Sequence, residues 1–363
     1  MPRVGLNLLY LAPGDTGGTE TYARALVPRL PEAWPEAEWV VFAGAELAGE
    51  PPLADGVRVV RLPVSSRTRV RRSAVEQTLL AGAIVRGRLD LLHSLGTTTP
   101  LLAPGPQVVT IHDVIYKHHP DAHPGVLTRG MQVLVPAAAR RAQRIIVPSE
   151  AVAEDLQTYL GVGHEKVDVV PEGPGAEPVA EPSPEGELRR RLHLPGGPLV
   201  LAVSARRPHK NLSRLIEAMR GIDATLVLPG YPTAFDDELK AEAQGAPVVF
   251  AGWVSDADLE GLYAAATCMV FPSLAEGFGL PVLEAMRRGV PVACSSTTAL
   301  GEVAGDAALT FDPESVDAIR AAIRTLLGDA DERERLIARG RSRAAEFSWA
   351  AAAAGTVASY RRA

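Results

Sequence analysis

Short β-branched runs alternate with helical patterns from one end of this chain to the other. That alternation restricts the fold to layered, mainly parallel α/β structure. Seven candidate strands occupy the first half, at residues 4–9, 39–43, 57–61, 89–94, 108–112, 144–148 and 167–171. Six follow in the second half, at 199–204, 225–228, 248–251, 268–272, 291–294 and 308–311. Several are apolar at consecutive positions, the pattern of strands covered on both faces. Between the two sets lies a stretch with Pro174, Pro178, Pro182, Pro184 and Pro195, which reads as a linker with one short helix. The chain therefore parses as two doubly wound domains: 1–173, a linker at 174–198, and 199–347. A last helix at 348–363 follows the second domain's final long helix as a separate element, free to dock elsewhere.

Composition excludes several classes. The 363 residues are 47% apolar and 22% charged, a globular balance sufficient for two cores. A net charge of −6 argues against nucleic acid as a partner. No apolar run reaches the roughly 18–20 residues of a membrane span. The apolar opening at 4–9 is interrupted by Asn7 and reads as a buried strand, not a signal core. Cys268 and Cys294 have neither disulfide nor metal spacing. They read as small buried residues, and a reduced, cytoplasmic protein is expected.

In open α/β sheets ligands sit beyond the carboxyl ends of strands, so those ends are where chemistry is sought. After the first strand come Asp15, Thr16, Gly17, Gly18, Thr19 and Glu20. Paired glycines before a helix let a phosphate or sugar approach backbone N–H groups, or simply make a tight turn. The loop lacks the spacing of a dinucleotide fingerprint and the lysine of a phosphate loop. The strand at 108–112 ends in His112 and Asp113, where a histidine is placed to touch ligand or serves the core. The strand at 199–204 runs into Arg206, Arg207, His209 and Lys210, a cationic loop suited to a diphosphate. Asn211 reads as the cap of the next helix, while Ser149 and Glu150 read as the edge of an acceptor site or as a helix cap.

The most specific pattern is Glu276-Gly277-Phe278-Gly279-Leu280-Pro281, with Glu284 one turn into the following helix. The N–H groups around Gly279 and Leu280 face an anion, aided by the helix dipole. Two carboxylates beside an anion repel it unless they face hydroxyls, and sugar and ribose supply those. Asp256 and Asp258 have the spacing of a Mg²⁺-holding pair, but capping of a helix start explains them, so no metal site is expected. Residues 61–88 carry seven arginines against Glu76, a local charge of +6. Ser73 and Glu76 read as a capping box. The basic loop of Arg67, Arg69, Arg71 and Arg72 is either solvated or drawn to an anionic membrane surface.

Taken together, the Glu276…Glu284 loop, Gly289-Val290-Pro291-Val292, Gly17-Gly18, His112-Asp113 and the Arg206–Asn211 loop resemble family 4 of the retaining nucleotide-sugar glycosyltransferases. The resemblance spans essentially the whole chain with the motifs in order. It implies the GT-B fold: α/β, two Rossmann-like domains facing across a cleft, the first holding mainly the acceptor and the second the donor, with the C-terminal helix at 348–363 packing back on the first domain. By position, Glu284 binds ribose hydroxyls and Glu276 the transferred sugar, with N–H groups of Phe278, Gly279 and Leu280 on sugar and phosphate. Lys210 and an arginine neutralise the diphosphate, and Gly17 and Gly18 let the first domain approach it. His112 lies near the reacting carbon. Many relatives place that arginine five residues before the lysine, where this chain has Ala205; Arg206 is the expected substitute and Arg207 the reserve.

The activity so implied is retaining transfer of a hexose from a nucleoside-diphosphate sugar, GDP-mannose first, to a glycan, lipid-linked or small-molecule hydroxyl. The donor is a substrate; no cofactor or metal is expected. The chain is expected to be cytoplasmic, with peripheral membrane contact through the arginine loop. Two other readings use the same fold: a sugar-nucleotide epimerase, and a catalytically silent sugar-nucleotide-binding subunit.

Overall fold

A computed structural model describes residues 1–14, 17–50, 53–119 and 126–363. The chain divides into two compact units: Met1–Gly173 with Phe347–Ala363, and Pro174–Glu346.

The first unit is built on seven parallel strands: β1 (Arg3–Leu8), β2 (Glu38–Ala43), β3 (Arg58–Arg61), β4 (Leu91–Ser94), β5 (Gln107–Thr110), β6 (Arg144–Val147) and β7 (Val167–Val169). Their order is β3-β2-β1-β4-β5-β6-β7, the doubly wound arrangement whose direction reverses between β1 and β4. Val4, Leu6, Leu8, Val108, Val109, Ile145 and Ile146 are buried, which explains strands that are apolar on both faces. Only the edge strand β3 is largely exposed, guarded by Arg58 and Arg61, charges that blunt edge pairing. Gly5 is closely packed: a Cβ there would lie 2.4 Å from Leu89 Cδ1 and 3.1 Å from Phe42 Cε2.

Helix Trp349–Tyr360, capped by Ser348 accepting from the Ala351 N–H, completes this unit. Trp349, Val357 and Tyr360 are buried, each such side chain contributing about 1.5–3 kcal/mol. Several polar groups at its end are matched. Ser359 Oγ and Arg362 both donate to Asp168 at 2.6 Å, and the Tyr360 hydroxyl lies 2.6 Å from His93 Nδ1.

The second unit repeats the plan with β8 (Leu199–Leu201), β9 (Thr225–Pro229), β10 (Val248–Gly252), β11 (Cys268–Phe271), β12 (Val292–Ser295) and β13 (Leu309–Phe311). The order β10-β9-β8-β11-β12-β13 places its switch point between β8 and β11. Cys268 and Cys294 are buried strand residues, and burial pushes both thiols up to about 12.

Two expectations are corrected. Residues 174–198 are part of the second unit, not a linker. Helix Glu185–Arg191 packs on helix Asp256–Ala265 through the fully buried Leu188, and Ser183 N–H donates to Ala257 O at 2.9 Å. The approach is so close that a Cβ on Gly261 would lie 2.3 Å from Ser183 O. Ser73 and Glu76 form no capping box either. The helix begins earlier, as Arg69–Val75 with Thr68 at its cap position, and Glu76 opens a π-helical turn, Glu76–Leu80.

Candidate active site

The second unit gathers its polar groups at the carboxyl ends of β8 and β11. Beyond β8, a 3₁₀ turn at Pro208–Lys210 ends in Asn211, which is left-handed with φ 56°. Asn211 occupies the cap position without capping. Its amide instead donates to Pro272 O at 3.0 Å and Pro313 O at 2.7 Å, and its oxygen accepts from Arg214. With Leu274 N–H donating to His209 O at 2.8 Å, these bonds join the cationic loop to the loop beyond β11. The result is that Lys210 Nζ sits 2.5 Å from Glu276 Oε1.

Arg206 is a correction. Its guanidinium is buried, 2.5 Å from Asp236, donating to Leu228 O at 3.2 Å and lying over the Phe250 ring. Its charge is committed to the interior and not to a diphosphate. Arg207, the next residue, is half-buried.

Beyond β11 the chain turns at Gly279, with φ 114°, into helix Leu280–Arg287, with Pro281 in its first turn. Glu276 N–H donates to Thr298 Oγ1 at 3.1 Å, while Phe278 and Leu280 are buried. Glu284 Oε1 accepts from Ala176 N–H and Oε2 from the Tyr263 hydroxyl, each at 3.1 Å. Gly175 permits this: a Cβ there would lie 2.2 Å from Glu284 Oε1. Burial raises the Glu284 pKa, a rise partly offset by the Ala176 N–H, the Arg288 charge and the Tyr263 hydroxyl. A carboxylate has about four acceptor positions; two are used here, and the rest suit a pair of vicinal hydroxyls.

Asp256 and Asp258 start helix Asp256–Ala265 under a Ser255 cap. The Asp258 carboxylate receives Ser183 Oγ at 2.6 Å and pairs with Arg191. Among the described residues no group of three or more His, Cys, Asp or Glu side chains is placed to hold a metal ion.

In the first unit, Gly17, with φ 58°, precedes helix Gly18–Leu26 and its carbonyl accepts from the Glu20 and Thr21 N–H groups. Asp15 and Thr16 lie outside the described residues. His112 lies two residues past β5 and is buried. Its Nδ1 is 3.1 Å from Glu172 Oε1 and its Nε2 is 3.0 Å from Leu95 O. Burial pulls this imidazole down. The Glu172 hydrogen bond and charge, the Leu95 carbonyl and Asp113 outweigh it and hold the ring above the usual histidine range. Ser149 caps helix Glu150–Leu160.

Beyond β1 and β4 the structure brings together groups that the sequence did not mark as one cluster. Glu76 is buried and accepts from Asn7 at 2.8 Å and Thr98 at 2.9 Å. With Arg72 and Tyr10 these side chains line a small cavity. Arg72 points inward, donating to Tyr10 O and Ser66 O.

Two doubly wound units, one with a lysine, two carboxylates and a helix start assembled near its switch point, have the chemistry to suit a phosphorylated, hydroxyl-rich ligand. Comparison with known proteins gives the family. Residues 16–174 match the model of Glycosyltransferase Family 4, and residues 185–343 that of Glycosyl transferases group 1. The O-antigen chain mannosyltransferase B of Escherichia coli is 33% identical over 273 residues, 70% of each chain. The MMP alpha-(1->4)-mannosyltransferase of Mycolicibacterium hassiacum is 33% identical over 322 residues, 78% of this chain and 73% of that one. Among solved structures, the sucrose-phosphate synthase of Thermosynechococcus elongatus superposes with a TM-score of 0.80 at 21% identity, covering 99% and 98% of the two chains. The chain belongs to glycosyltransferase family 4 and has the two-domain α/β fold of GT-B enzymes.

Proposed function

We propose that this glycosyltransferase moves a mannosyl residue from GDP-mannose to a hydroxyl of a glycan or lipid-linked acceptor, with retention and without metal. The Lys210–Glu276 pair beside the Gly279–Leu280 helix start carries the reading. Support for mannose comes from the similar E. coli and M. hassiacum enzymes, both mannosyltransferases by name.

In this reading Glu284 accepts from the ribose hydroxyls through its two open positions. Lys210 turns from Glu276 to the diphosphate, joined by Arg207, and Glu276 then accepts from hydroxyls of the sugar. The backbone N–H groups of Gly279 and Leu280 and the helix dipole add to the stabilisation of the leaving charge. The first unit supplies the acceptor site, and its His112 serves the sugar end of the reaction. The bond from the anomeric carbon to the phosphate oxygen breaks. The acceptor oxygen bonds to that carbon on the same face, and its proton passes to the departing phosphate oxygen.

The acceptor reading has support on the surface. Val70 is 77% exposed, Val85 58% and Leu79 43%, along helical segments that also expose Arg69, Arg71 and Arg86. Apolar side chains flanked by arginines suit the anionic face of a membrane carrying a lipid-linked acceptor.

A thermal-shift panel of GDP, UDP and ADP tests the donor directly. A nucleotide at a hundred times its Kd stabilises by about 2.7 kcal/mol. Selective stabilisation by GDP is expected; equal or greater stabilisation by UDP or ADP refutes the GDP assignment.

A further inference from the structure

His112 stands out in the sequence, whereas nothing there marks Glu172, sixty residues later. The fold brings the two together at 3.1 Å, both buried. Resting on the reading that His112 serves the sugar end of the reaction, we propose that Glu172 is a positioning residue: it fixes the orientation and tautomer of the His112 ring, so that Nε2 keeps its proton and is no base.

The argument is one of proton count. Nε2 faces the Leu95 carbonyl at 3.0 Å, and a carbonyl oxygen only accepts. Nε2 therefore carries a proton. Nδ1 faces a carboxylate, so a second proton lies between Nδ1 and Glu172 Oε1. Whether that proton belongs to the ring or to the carboxyl group, Nε2–H is unchanged. His112 is thus no base through Nε2, in keeping with a reaction in which the acceptor's proton leaves with the phosphate oxygen.

The pair is braced from one side chain. Gly173 lies flat on the Trp349 indole, where a Cβ would come within 2.5 Å of Cδ1. The same indole contacts Tyr22, whose ring meets His112 edge-on at 4.7 Å. Helix Trp349–Tyr360 so holds the residue beside Glu172 and the ring beside His112. Among the described residues, Tyr22, Asp113 and His93 are further titratable groups around this imidazole.

Three variants test the proposal: Glu172→Gln, Glu172→Ala and, as reference, His112→Ala. The glutamine amide N–H donates to Nδ1 and keeps Nε2–H in place, whereas alanine leaves Nδ1 without its partner. We expect Glu172→Ala to lower kcat about a hundredfold, the scale of a small misplacement, with the donor KM nearly constant, and Glu172→Gln to restore most of the rate. The His112 ring followed by NMR should titrate above 6.5, its ordinary value, in the unaltered protein and lower in both Glu172 variants. A titration unmoved by Glu172→Gln overturns the pairing. A rate lost equally in Gln and Ala, or kept in Ala while His112→Ala is impaired, overturns the positioning role. If His112→Ala itself keeps full rate, the reading of His112 at the sugar end fails instead. Should the alanine variant not fold, Glu172→Ser takes its place.

Discussion

The Lys210 ammonium lies 2.5 Å from the Glu276 carboxylate, although the two residues belong to loops beyond different strands, β8 and β11. Each neutralises the other, and a donor able to replace both partners, with phosphate for the lysine and hydroxyls for the glutamate, leaves neither charge bare. Glu276→Gln should bind free GDP almost normally while kcat falls about a hundredfold or more, the usual scale of contacts made in the transition state. Calorimetry and steady-state kinetics separate the two effects.

Glu284 should behave in the opposite way, because ribose does not react. Glu284→Gln should weaken GDP binding by about 1.5–3 kcal/mol, the strength of hydrogen bonds to a charged group, with a smaller effect on kcat. Its raised pKa gives the sign of the pH dependence. The carboxylate gains its proton at a pH above the ordinary 4.5, so GDP affinity should fall through that region on acidification. An acid limb that persists in Glu284→Gln would assign it elsewhere.

Arg206→Ala should destabilise the fold by at most about 3–5 kcal/mol, because the buried Asp236 loses its close partner and is left with Lys240 at 3.7 Å and the Thr233 N–H. GDP affinity of the folded protein should change little. Urea denaturation and calorimetry on the same sample decide between this structural role and a diphosphate contact.

His93 makes the first unit acid-sensitive. Burial, and secondarily the charge of His112, push its imidazole down to about 3 from 6.5. Between those values the unfolded chain binds a proton that the folded one refuses, so stability falls as pH drops. The slope is at most about 1.4 kcal/mol per pH unit. Denaturation curves at pH 7, 6 and 5 should show His93→Gln losing less stability than the unaltered protein; parallel losses would refute this.

Replacing Arg67, Arg69 and Arg71 by Ser should reduce binding to anionic vesicles by about 1 kcal/mol per residue. Arg72 is left out because it donates inward to backbone carbonyls. Sedimentation with phosphatidylserine vesicles checks this, and unchanged binding would leave the loop merely solvated.

Transfer should survive EDTA, and Asp256→Ala/Asp258→Ala should keep its GDP affinity. The carboxylate of Asp258 already has Ser183 and Arg191 as partners. Activity that needs added Mg²⁺ and disappears in the double variant would refute the metal-free reaction.

Both sheets were legible because a strand buried on two faces writes its burial into consecutive residues, as in the run leading to Val109 and Ile111. Glu276 and Glu284 were legible for a related reason: a loop of two glycines and a proline leaves few backbone paths. What remained hidden depends on partners distant in sequence. Arg206 looks like any loop cation until Asp236, thirty residues on, is folded beneath it. Glu76 mimics a capping box because its actual partners, Asn7 and Thr98, come from two other elements. Residues 174–198 have the composition of a linker, and two buried leucines, Leu188 and Leu194, outweigh it.

The segment Phe347–Ala363 belongs to the unit that begins at Met1. The half of the protein made first by the ribosome is therefore the half completed last. Until Trp349 and Tyr360 emerge, Gly173, Tyr22 and His93 lack their covering. The second unit, contiguous from Pro174 to Glu346, has no such dependence and is free to fold during synthesis. Completion thereby runs opposite to the order of sequence: the core of the first unit is closed only by residues 347–363, whereas every residue of the second lies before them.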